Sequence, residues 1–226
     1  MSERVAIVSG AGGELGRSTV QKLAAAGFTV VGVDRSEERL KELPDGIRRE
    51  AADSADPAAA RSAVARIAAE VGPPEVLVNT IGMYHLGDAL SATPEDFRLM
   101  MDVNVGSALW LTQAVAPYMR ERGSGSIVHV ASRQGLEPAA GMATYALSKA
   151  ALVQLIRVLD LELRPAGIRV NGVAPQLLNT AATRSFLTPD LLPHAVAPDA
   201  VADAIVYLVS DAAAPVSGAV VPAYGA

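Results

Sequence analysis

The sequence predicts an α/β fold: one domain built on a doubly wound parallel sheet of about seven strands, with helices on both faces. Three observations carry this prediction. Short apolar runs rich in β-branched residues alternate along the whole chain with longer stretches of helical period. Several runs, such as Val5-Ala6-Ile7-Val8, are continuously apolar rather than alternating, as strands buried on both faces require. The 226 residues, half of them apolar, suffice for one sizeable core, and no repeat, linker or composition shift marks a second domain.

The predicted strands lie at residues 4–9, 29–34, 47–52, 76–80, 126–131, 168–173 and 219–222, and the predicted helices at 15–26, 37–43, 57–71, 103–121, 144–163 and 199–210. Asp56-Pro57 and Thr93-Pro94-Glu95 each set a capping side chain before a proline at the first helical position. Gly27, Gly72 and Gly167 follow helical patterns, where a left-handed C-cap favours glycine. Parallel strands joined through helices imply right-handed crossovers. The stretch 176–198, proline-rich and without a period, is long for a loop; it reads as a substrate lid, or as a surface loop, carrying a short helix near 188–192.

Composition excludes several classes. The net charge is −5 and the basic residues are scattered, so no basic face is offered to nucleic acid. The absence of cysteine excludes disulfides, thiolate metal sites and cysteine nucleophiles. The three histidines, His85, His129 and His194, are far apart in sequence, so no metal site is expected. His129 reads as a hydrogen-bonded strand residue, and His85 as a loop residue or a substrate contact. No leader is legible before Val5, and no apolar run approaches the roughly 18 residues of a membrane span. The expectation is a soluble, cytoplasmic protein.

Ser9-Gly10-Ala11-Gly12-Gly13-Glu14-Leu15-Gly16 sits between the first strand and the first helix. Open α/β sheets of this Rossmann type bind ligands beyond the carboxyl ends of their strands. Glycines there let backbone amides approach a pyrophosphate, which the helix N-terminus also favours. Asp34 closes the second strand 18 residues after Gly16. A carboxylate at that point accepts from adenosine ribose hydroxyls and repels a 2′-phosphate, which favours NAD over NADP. Arg35 is the counter-signal, because a guanidinium pairs with that phosphate; a helix cap is the plainer reading of Asp34.

Tyr145 and Lys149 are four residues apart, on one face of a predicted helix. Ser132 closes the fifth strand 13 residues upstream of Tyr145, at the same rim as the glycine turn. Taken with Asn79-Thr80-Ile81-Gly82 and Asn104, this pattern resembles the short-chain dehydrogenase/reductase family in its compact form, from Val5 to about Val221. The resemblance implies hydride transfer between a nicotinamide cofactor and a small alcohol or carbonyl. In it Tyr145 is the acid/base, Ser132 holds the substrate oxygen, Lys149 tunes the phenol and binds ribose, and Asn104 supports a water relay. A phenol near pKa 10 needs such help, since a neighbouring ammonium favours its phenolate. The resemblance also carries over Asp53 beside the adenine, Asn79 and Gly82 in a motif that steadies the sheet and lines the cleft, Leu15 in the glycine turn, and Pro175 and Thr180 near the nicotinamide carboxamide. It further implies a homodimer or homotetramer through the helices at 103–121 and 144–163.

The chain also departs from that pattern. Glu14 stands where compact members carry a glycine, which suggests that Gly12 and Gly13 make the close approach while Glu14 turns to solvent. Gln176 replaces a glycine after Pro175, and the C-terminus, Pro222-Ala-Tyr-Gly-Ala226, lacks the usual ending. The substrate is read only from neighbours: Met83, Tyr84 and His85 after the Asn79 motif, and Arg133 and Gln134 after Ser132. The rival to an enzyme is a non-catalytic NAD(P)-binding sensor or scaffold of the same fold.

Overall fold

The computed structural model describes residues 4–184 and 194–225. Strands β1 (Val5–Ser9), β2 (Thr29–Asp34), β3 (Arg48–Ala51), β4 (Pro74–Asn79), β5 (Gly125–Val130), β6 (Ile168–Pro175) and β7 (Val220–Ala223) form one parallel sheet in the order β3-β2-β1-β4-β5-β6-β7. Around it lie α1 (Glu14–Ala25), α2 (Glu37–Leu40), α3 (Pro57–Glu70), α4 (Pro94–Met101), α5 (Ser107–Arg122), α6 (Ala143–Leu163), α7 (Ala181–Arg184) and α8 (Pro198–Val209).

The continuous apolar runs are explained by two cores, one on each face. Ala6, Val8, Val76 and Val78 meet Leu23 of α1 and Val201 and Ile205 of α8. Val5, Ile7, Leu77 and Ile127 point the other way, onto Val64 of α3, Leu111 and Val115 of α5 and Ile156 of α6. All five residues of β1 are buried. Truncating a fully buried Ile7 or Leu77 to alanine would cost about 2–5 kcal/mol. The capping readings hold: Asp56 accepts from the Ala59 amide, and Thr93 forms a reciprocal capping box with Asp96.

Two predicted elements change. The helix expected at 103–121 begins earlier, at the proline of α4, and runs through one turn of π-helix, Asp102–Gly106, into α5. The helix expected at 37–43 is the single turn α2. The short α7 had no sequence signal, and the helix expected near 188–192 lies outside the described residues. Among the described residues no helix is long and apolar enough to cross a membrane.

Candidate active site

The order of the strands places a switch point between β1 and β4. From β1 the chain builds outward to β3, then returns to the opposite side. A crevice opens beyond the carboxyl ends of strands at such a point. Ser9, Asn79, Ser132 and Pro175 stand at or just past the ends of β1, β4, β5 and β6.

Gly10 adopts φ +73°, and Gly13 donates back to its carbonyl at 3.0 Å, which closes the glycine turn. A Cβ on Gly16 would lie 2.1 Å from the Gly10 oxygen, so only glycine lets α1 start so close to the turn. Gly13 is the N-cap of α1 and brings no side-chain cap, so the first-turn amides face the cleft uncapped. Gly12 does a different job from the one expected. It packs against Asp34, donating to Oδ2 at 3.0 Å, while Gly10 and Gly13 line the cleft.

The cleft has a volume of about 500 Å³ and extends from Gly10 and Gly82 to Asp34, Arg35 and Asp53. The Asp34 carboxylate is buried, held by the amides of Gly12 and Ser36, both at 3.0 Å. Arg35 and Arg39 are exposed on the same wall. Asp53 is exposed and accepts from the Ala55 amide. Beside it the buried Ser54 hydroxyl lines the cleft without a partner among the described residues. A buried hydroxyl without a partner is costly, and a hydrogen-bonding ring system in the cleft would satisfy it. Uncapped amides, a fixed carboxylate and an orphaned hydroxyl along one groove fit a dinucleotide.

A second cavity of about 240 Å³ adjoins the first and shares Thr80 to Met83 with it. Ser132, Tyr145, Lys149, Leu15, Gly82 and Pro175 all line it. Tyr145 and Lys149 do lie on one face of α6. Burial pulls the Lys149 ammonium down to about 8, and its Nζ donates to the Val130 carbonyl at 2.9 Å. Tyr145 departs from expectation: burial raises its phenol above the ordinary value, opposed by a hydrogen bond with Ser132. Desolvation is the larger of the two effects on the phenol.

The π turn brings Asn104 inward. Its Oδ1 accepts from the Met83 amide at 2.8 Å, and its Nδ2 donates to the Met83 carbonyl and to Ser148 Oγ, both at 2.9 Å. Asn104 therefore ties the loop after β4 to the helix that carries Tyr145. Such turns recur at functional sites, since they re-aim a side chain without breaking the helix. A Cβ on Gly82 would lie 3.3 Å from Lys149 Nζ and 3.6 Å from Asn104 Oδ1, which brings all three to one point.

Other expected residues lie elsewhere. Asn79 steadies the strand ends, accepting from Ser9 Oγ and the Ile81 amide and donating to Ser107 Oγ, and is not on the cleft wall. Thr180 exchanges hydrogen bonds with Thr183 at the start of α7, and it is Thr183 that lines the cavity. Met83, Tyr84, Gln134 and Gln176 are on the wall. His85 lies off it, beside Thr144 and Asp96, and Arg133 pairs with Glu137 and stacks on Tyr224. Gln176 needs no glycine-like backbone, as no described non-glycine residue has a positive φ. Glu14 lies at the surface, partly buried, and its carboxylate accepts from the Ala181 amide at 2.6 Å, tying α1 to the segment after β6. His129 is fully buried, accepts or donates at Thr112 Oγ1, and is pushed down to about 3 by burial, so it is neutral. Arg39, Ser54 and Thr183 carried no sequence signal.

A dinucleotide-shaped groove meeting a polar cluster at the strand ends defines a doubly wound dinucleotide-binding protein. Residues 4–190 match the short chain dehydrogenase family, and the chain belongs to the short-chain dehydrogenase/reductase family. It is 32% identical over 232 residues to 2,3-dihydro-2,3-dihydroxybenzoate dehydrogenase of Bacillus subtilis, covering 92% of this chain and 89% of that protein. It is 36% identical over 189 residues to L-xylulose reductase of Mesocricetus auratus, covering 82% and 76%. A short-chain dehydrogenase/reductase structure from Burkholderia xenovorans matches with a TM-score of 0.93 at 27% identity, covering 98% of this chain and 95% of that one. The chain is an oxidoreductase of a family that uses NAD(H) or NADP(H).

Proposed function

We propose that the protein is an NAD(H)-dependent dehydrogenase/reductase of a small alcohol/carbonyl pair, with Tyr145 as the acid/base. The observation that carries this reading is the single cavity lined by Ser132, Tyr145 and Lys149 and continuous with the dinucleotide groove. The nicotinamide, when bound, supplies or accepts the hydride. Ser132 hydrogen-bonds the substrate oxygen and holds it against Tyr145. In reduction Tyr145 gives its proton to that oxygen; in oxidation it takes one back. Its raised phenol favours the protonated form, so oxidation should quicken as the pH rises. Lys149 keeps a positive charge behind the phenol at neutral pH, which opposes the burial penalty on a phenolate.

NAD is favoured because the Asp34 carboxylate is fixed at the ribose end by two amides and keeps lone pairs for hydroxyls. A second reading, NADP, rests on Arg35 and Arg39 beside it. The exposed Leu147, Val158 and Leu161 along α6 support a homodimer or homotetramer, which sedimentation would test. The test of the reading is a fluorescence titration with NADH and NADPH. Tighter NADH binding supports it; tighter NADPH binding gives Arg35 and Arg39 the deciding role; no binding of either favours a non-catalytic protein.

A further inference from the structure

Gln134 has no part in the reaction just described, yet it touches the residue that holds the substrate. It sits in the turn that follows β5, and its Oε1 accepts the Ser132 hydroxyl proton at 2.5 Å. It also lines the catalytic cavity, whose other walls include the apolar Met142, Leu177 and Leu178 and the polar Tyr84, Gln176 and Thr183. The amide nitrogen has no protein partner among the described residues, so two donors remain on the side of the cavity that holds Ser132. The cavity's one lining cation, among the described residues, is Lys149, buried and bonded to Val130.

Resting on the dehydrogenase/reductase reading, we propose that Gln134 is the specificity residue of this pocket, reading a second oxygen on the carbon next to the reacting one. The substrates are then uncharged α-hydroxy ketones and the vicinal diols they interconvert with. When Ser132 gives its proton to a reacting carbonyl oxygen, the Gln134 amide turns its nitrogen to Ser132 Oγ; when the reacting oxygen is an alcohol's, the amide keeps the orientation in which its Oε1 accepts from Ser132. The amide's other end therefore reaches a neighbouring oxygen, one carbon along. A hydroxyl both donates and accepts, so it satisfies the amide in either orientation. A simple ketone leaves the amide desolvated and unpaired, the kind of mismatch that discriminates strongly between substrates. Among the described residues no free cation faces the cavity to balance a charged group.

The experiment measures binding to the NADH complex, which needs no turnover, together with kcat/KM where turnover occurs. The ligands are 2-hydroxycyclohexanone, cyclohexanone and 2-oxocyclohexanecarboxylate, each with wild type and with Gln134→Leu. Wild type should prefer the hydroxy ketone over cyclohexanone by at least tenfold, and the carboxylate should do no better than cyclohexanone. Gln134→Leu should bring the hydroxy ketone to within threefold of cyclohexanone while NADH affinity stays unchanged, a pattern that a general folding defect would not give. A wild-type preference below threefold, one that survives in the variant, or a gain with the carboxylate overturns the inference and leaves the reaction standing. A wild type that binds no NADH overturns the underlying reading instead.

Discussion

Replacing Lys149 by methionine should abolish turnover and yet make the folded chain more stable near neutral pH. Lys149 is 3% exposed, and burial lowers its ammonium from 10.5 to about 8. A shift of that size corresponds to roughly 3 kcal/mol of destabilisation of the charged folded form. Methionine removes the charge but leaves the Val130 carbonyl without its partner, which costs about 1 kcal/mol or somewhat more. The net expectation at pH 7 is a gain of about 1–2 kcal/mol. The pH dependence is the sharper test. Between about 8 and 10.5 the unfolded lysine holds a proton that the folded one has released, so wild-type stability rises with pH in that window. The methionine variant lacks this rise, and its advantage should shrink by about 2 kcal/mol between pH 7 and pH 9.5. Tyr145 acts in the opposite sense and only above its ordinary value of 10, so stopping at pH 9.5 isolates the lysine. Urea unfolding of both proteins at four pH values measures this, and the absence of cysteine keeps thiol chemistry out of the alkaline points. Stability lines that run parallel across that range would show that Lys149 is not desolvated as described.

Tyr145→Phe should lower kcat by roughly 10³-fold, and NADH affinity should stay within threefold; near-normal turnover would remove Tyr145 from its role. Glu14→Gln keeps an acceptor for the Ala181 amide and should change NADH affinity less than threefold, read by fluorescence titration. A tenfold tightening would mean instead that the carboxylate opposes the diphosphate. Asn104→Ala removes the hydrogen bonds to Met83 and Ser148 from a fully buried position and should destabilise by roughly 2–4 kcal/mol, seen as a lower urea midpoint.

The parts of the fold legible in the sequence are those set by local periodicity. The β1 run and the α3 start at Asp56-Pro57 follow from patterns a few residues long. The parts that were not legible depend on partners distant in sequence. The π turn is invisible because the period is helical on both sides of it, and the extra residue shows only when Asn104 finds Met83 and Ser148. Glu14 could be assigned to the start of α1 but not to Ala181, which lies 167 residues away. Thr180 and Thr183 could not be ranked, since that choice depends on which hydroxyl caps the four-residue α7. The same holds for Ser54, whose orphaned hydroxyl is a fact of burial rather than of spacing.

The π turn also gives this stretch a tolerance that an ordinary helix lacks. Residues in an α-helix are spaced about 100° apart around the axis. Deleting one residue from Asp102–Gly106 would let the turn relax into ordinary α-helix, with no loss of helix length to speak of and with every side chain of α5 in place. The wide turn already takes up the extra residue's rotation, so α4 and α5 would keep their phase and the cost would fall inside the turn. Met100 would keep its fully buried seat, while Asn104 would lose the inward aim that takes it to Met83 and Ser148. A deletion anywhere else in α5 would rotate a whole helical segment, whereas here the helix should tolerate the change of length and lose by it only what Asn104 holds together.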